Sequence, residues 1–102
     1  MDQSGPALHP GIVKLVDTLS HFPSIESVLL FGSRARGDNQ PRSDVDLAIV
    51  CPQASITEWQ AILDEVEEAE TLLSIDCVRL DQADDLLRQN ILQSGKPLFI
   101  RE

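Results

Sequence analysis

Two short apolar runs frame this chain: Val28-Leu29-Leu30-Phe31, which ends at Gly32-Ser33, and Leu47-Ala48-Ile49-Val50, which is opened by Asp44-Val45-Asp46. Runs of four or so apolar residues bounded by turn-formers read as buried strands rather than as helices. Ten residues separate Ser33 from Asp44, enough for one short turn of helix and a loop. Alternate side chains of a strand leave the same face, so Asp44 and Asp46 are directed together. Beside them, a Gly-Ser turn lets backbone N–H groups approach a polyanion closely. Two aligned carboxylates and such a turn make the two halves of a site for a phosphate ligand and a divalent cation.

The rest of the chain supplies elements to hold that site. Leu8, Ile12, Leu15, Val16, Leu19 and Phe22 recur at spacings of three and four, which predicts a helix over 7–22, its regular start delayed by Pro10-Gly11. Strands are expected over 27–31, 45–51 and 74–80, and a short helix over 33–36 stopped by Gly37. Ser55 followed by Glu58 fits a capping box; Ile56, Trp59, Leu63, Val66 and Leu73 then mark the inner face of a long helix. A last helix over 82–93 is expected to be capped by Asp81 and stopped by Gly95, with a possible extended segment over 98–100. This order describes an α/β (α+β) domain, a small mixed sheet flanked by helices, spanning 1–102.

Composition narrows the function. Seventeen acidic residues against eight basic ones give a net charge of −9. Such a field repels nucleic acid, so no direct nucleic-acid substrate is expected. No apolar run approaches the roughly 18 residues of a membrane span, and the start Met1-Asp2-Gln3-Ser4 lacks the order of a secretion signal. The expected location is therefore the cytoplasm. Cys51 and Cys77 form no metal-ligating pattern and read as buried free thiols. His9 and His21 read as structural, Trp59 as core, and Asp64, Glu65, Glu67, Glu68 and Glu70 as the solvated face of the long helix.

Transfer of a nucleotidyl group needs a hydroxyl activated near the α-phosphorus and charge offset on the departing pyrophosphate. Two divalent ions can provide both. Mg²⁺ prefers oxygen ligands and keeps waters, so a few carboxylates and the substrate phosphates suffice. Asp44 and Asp46 are the natural bridging ligands. Asp76, which interrupts the apolar strand Ile75-Asp76-Cys77-Val78, is the natural third. Gly32 and Ser33 would hold the phosphates, and Arg34, Arg36 and Arg42 bring local positive charge to an acidic chain.

The segments Leu30-Phe31-Gly32-Ser33-Arg34-Ala35-Arg36-Gly37 and Ser43-Asp44-Val45-Asp46-Leu47-Ala48-Ile49 resemble the minimal nucleotidyltransferase (MNT) family of the polymerase-β-like superfamily. Asp76 and the closing Ile91 and Gly95-Lys96-Pro97-Leu98-Phe99 extend the resemblance over most of the chain. The resemblance implies a polymerase-β-like nucleotidyltransferase fold and a catalytic Mg²⁺ triad of Asp44, Asp46 and Asp76. Gly32, Ser33 and Arg34 would then contact the nucleotide. It further implies an antitoxin that transfers AMP from ATP to a tyrosine hydroxyl of a HEPN-domain ribonuclease toxin. Two other readings stay open: neutralisation of a partner by binding alone, and transfer to a small hydroxylated molecule.

Overall fold

The computed structural model describes residues 9–37, 44–69 and 71–102. The loop expected over 38–41, together with Leu8, Arg42 and Glu70, lies outside them.

Helix α1 (Pro10–Leu19) begins at Pro10, later than the first residue of the expected span. Pro10 takes the first helical position, where no N–H is needed. His9 caps the helix, its Nδ1 accepting the Gly11 amide at 3.0 Å. The far end stops three residues short of Phe22 and tightens into turns, the His21 and Phe22 amides donating to the carbonyls of Thr18 and Leu19, before Pro23 disfavours helix at Phe22. Strand β1 (Ser27–Phe31) and the one-turn helix α2 (Ser33–Arg36) follow as expected, with Gly37 left-handed at φ +85°. Strand β2 is Val45–Val50, one residue shorter than expected.

Helix α3 (Ile56–Glu67) is capped by Ser55, whose hydroxyl accepts the Glu58 amide at 3.0 Å. Its inner face differs from the expected one. Ile62 and Val66 are buried and Trp59 packs on the core, whereas Ile56 is 86% exposed. Leu73 reaches the same core from beyond the helix end. The helix ends at Glu67, and Asp64, Glu65, Glu67 and Glu68 place like charges on its negative end, which weakens that last turn.

Strand β3 (Ile75–Arg79) runs into a 3₁₀ turn (Leu80–Gln82) and then helix α4 (Asp85–Ser94). The cap of α4 is Asp84, accepting the Leu87 amide at 2.8 Å, not the expected Asp81. Asp81 is drawn away by Arg79, whose Nε lies 3.1 Å from its carboxylate. The closing segment is a full strand, β4 (Lys96–Ile100).

The sheet order is β3-β2-β1-β4, with β2 and β3 parallel and the other pairs antiparallel. Strand alternation divides the apolar side chains between two faces. Val28, Leu30, Val45, Leu47 and Ile49 pack under α1 and α3 with Ile12, Leu15, Leu19, Ile62 and Val66. Ala48 packs on the opposite face with Leu80 and Ile91, flanked by Leu29, Phe31, Val50, Val78 and Leu87. Arg101 fastens the C-terminal side: it donates to the carbonyls of Ser20, Phe22 and Ile25 at 2.9 to 3.0 Å. No helix among the described residues is long and apolar enough to cross a membrane.

Cys51 and Cys77 are free thiols within the first of these cores. Burial pushes Cys51 up to about 11 and Cys77 up to about 12, which keeps both protonated near neutral pH. Alkylation of the native protein by iodoacetamide is therefore expected to run at least about tenfold slower than in denaturant. Equal rates would show that the thiols are reached without unfolding.

Candidate functional site

The sheet register assembles the site. Phe31 pairs with Asp46 across β1 and β2, and Asp46 pairs with Asp76 across β2 and β3. One row across three strands thus carries two adjacent carboxylates, with Gly32 just beyond its third member. Alternation sends Asp46 and Asp76 to the face that holds Ala48, Val50 and Val78. Asp44 stands two residues before Asp46 and is exposed. The neighbouring Val45 amide donates to the Ser74 carbonyl at 2.9 Å, which ties the start of β2 to the approach of β3.

The electrostatics follow from that crowding. Asp46 is half-buried, and its carboxyl is held above the usual carboxylate value of 3.8, first by burial, then by the charges of Asp76 and Asp44. The Arg36 guanidinium opposes the shift. Arg36 thus acts on the site through its charge. The sequence marks it only as general positive charge, because a four-residue helix does not say which of its charges is felt at Asp46.

Gly32 occupies the turn between β1 and α2 at φ +76°, ψ −156°, a conformation that L side chains rarely adopt. Its carbonyl accepts the amides of Ala35 and Arg36, each at 3.1 Å. Ser33 is the first helical residue, and Gly32 is the cap. With a single turn, α2 offers first-turn amides to an anion but little macrodipole.

Asp44, Asp46 and Asp76 do not close into a cage. Among the described residues no three His, Cys, Asp or Glu side chains stand close enough to hold a metal by themselves. The donor set still fits Mg²⁺. It is all carboxylate, and its members repel one another at Asp46, a repulsion that a cation would relieve. Mg²⁺ also keeps several waters and takes phosphate oxygens for the rest of its shell.

The family model described as Polymerase beta, Nucleotidyltransferase matches residues 13–102. The chain belongs to the polymerase beta nucleotidyltransferase family. Among curated nucleotidyltransferases it is 27% identical over 90 residues to the protein adenylyltransferase MntA of Shewanella oneidensis, an alignment covering 86% of this chain. The chain spans 62% of the length of that relative. Among solved structures, a toxin–antitoxin crystal structure with AMP-PNP superposes with a TM-score of 0.68 at 24% identity, covering 90% of this chain and 73% of the other. The complex of the tri-AMPylated Shewanella oneidensis HEPN toxin with its MNT antitoxin gives a TM-score of 0.52 at 20% identity, covering 86% and 71%. These likenesses bear out the expected nucleotidyltransferase fold, a mixed four-stranded sheet with helices.

Proposed function

We propose that this chain is a Mg²⁺-dependent nucleotidyltransferase that moves AMP from ATP to a hydroxyl, a tyrosine of a partner HEPN ribonuclease, and so acts as its antitoxin in the cytoplasm. The observation that carries this reading is the pairing of Asp46 with Asp76 beside the Gly32-Ser33 turn. Similarity to MntA, a protein adenylyltransferase, supports the choice of a protein acceptor. So does the likeness to a complex containing an AMPylated HEPN toxin.

In this reading the acceptor oxygen attacks the α-phosphorus of ATP, the bond to the bridging oxygen of the β-phosphate breaks, and pyrophosphate leaves with that electron pair. Two divalent ions, when bound, would lower the pKa of the attacking hydroxyl and offset charge on the leaving group. Asp44 and Asp46 would hold them jointly. Asp76, on the outermost strand of the row, would complete their ligand set on the side of the acceptor hydroxyl. Ser33 hydrogen-bonds the phosphates from the first turn of α2, and Arg34 contributes positive charge there.

The test is the intact mass of the protein encoded beside this one after incubation with the purified chain, ATP and Mg²⁺. Gains in AMP-sized steps are expected, and none with the Asp44→Asn/Asp46→Asn chain. A stable complex without any mass gain would overturn catalysis in favour of neutralisation by binding.

A further inference from the structure

The geometry points to Gly32 as a positioning residue for Asp46: the β-carbon it lacks leaves the space in which the Asp46 carboxylate is held. This goes beyond a phosphate-cradling turn, and it rests on the reading of Asp46 as a metal ligand.

Three observations carry it. A β-carbon on Gly32 would collide with Asp46 Oδ2, and would stand 3.2 Å from its Cγ and 3.4 Å from its Cβ. The three nearest atoms to that position thus belong to one side chain, the metal-ligand candidate. The register explains why. Phe31 is the partner of Asp46, so the next residue lies diagonally beside the Asp46 side chain where β1 turns away. Gly37 makes the contrast: it also has positive φ, yet a β-carbon there would meet nothing within 4 Å. Gly37 is a glycine for its backbone alone, whereas Gly32 is one for its backbone and for its neighbour.

Asp46 is already half-buried and in repulsive company, so its carboxylate has reason to swing outward towards water. The wall formed by the Gly32 backbone sets how deep it sits. An alanine at 32 would push Oδ2 out of the row it shares with Asp76, and the two carboxylates would no longer face one cation at a common distance.

A thermal double-mutant cycle separates this from strain at a positive φ. Gly32→Ala is expected to lower Tm by roughly 10 °C in the parent chain, and by at most about half as much in an Asp46→Ala background, where the collision is gone. Binding of Mn²⁺ alone, followed by electron paramagnetic resonance, is expected to weaken about 10-fold or more in Gly32→Ala. Equal losses of Tm in the two backgrounds, or Mn²⁺ binding as tight as in the parent, would overturn the proposal. Should Gly32→Ala fail to fold, recovery of folding on adding Asp46→Ala supports it, and continued failure counts against it. If the parent chain takes up no Mn²⁺, the metal-dependent reading falls, and the thermal cycle still decides whether Gly32 positions Asp46.

Discussion

Replacing Asp46 by Asn is expected to raise the melting temperature while sharply reducing the proposed AMP transfer. The gain comes from removing a charge that is partly desolvated and faces the charges of Asp76 and Asp44. Relief of one such conflict is worth about 0.5–1 kcal/mol, or roughly 3–6 °C for a chain of this size. The pH dependence follows in sign. The Asp46 carboxyl is raised above 3.8 in the folded state, so the native protein binds this proton more tightly than the unfolded chain does. Its penalty is present in full at neutral pH and disappears as pH falls through the raised value. The Tm advantage of Asp46→Asn should accordingly be largest near neutral pH and shrink towards the acid range. On the proposed mechanism transfer should fall at least about 100-fold, because an amide cannot supply the negative oxygen that a bound Mg²⁺ would require. A Tm advantage that does not change with pH would remove carboxylate repulsion as its cause. A Tm loss would mean that Asp46 is held by favourable contacts.

The part of the candidate site that a sequence can display is the local part. Asp44, Asp46 and the Gly32-Ser33 turn stand out because strand alternation and turn chemistry are local. The bounds of β1 and α2 were read correctly for the same reason. The adjacency of Asp46 and Asp76 is not local, since it depends on a parallel pairing formed across α3. Periodicity also misled at two places. Ile56 has the spacing of an inner-face residue but falls on the first turn of α3 and faces water, while Ile62, outside that spacing, is buried. Asp81 has the composition of a helix cap, yet an arginine two residues earlier competes for it and the cap moves to Asp84. Arg79 and Arg101 were silent in sequence because most of their partners are backbone carbonyls 25 to 81 residues away, which any residue type could present.

Arg79 is where that silence matters most for stability, and Arg79→Met is expected to destabilise the fold by about 3 kcal/mol, well over 10 °C in Tm. The side chain is only 8% exposed. Its Nη2 donates to the carbonyls of Cys51 and Ala54 at 3.2 and 2.9 Å, and its Nε to both oxygens of Asp81 at 3.1 and 3.2 Å. The guanidinium also lies 5.8 Å from the centroid of the Trp59 ring. One group thus fastens the β2–α3 connection to the end of β3. Methionine keeps much of the apolar stem but takes the guanidinium from the Ala54 carbonyl and the Asp81 carboxylate and leaves the Cys51 carbonyl with the Ala54 amide alone. Lysine keeps the charge yet cannot fork towards a carboxylate and two carbonyls at once, so Arg79→Lys should recover less than half of the loss. The candidate carboxylate row should be spared. Arg79 pairs with Ile49, three residues along from the Asp46–Asp76 pair, and strand alternation puts it on the other face of the sheet. Transfer rates measured well below Tm should therefore remain within about threefold of the parent, because contacts this far apart act nearly independently. A chemical denaturation series on the two variants checks the first part. A wild-type midpoint for Arg79→Met would show that water replaces the guanidinium at little cost, and a collapse of transfer in still-folded protein would show that the clamp reaches the carboxylates through β3.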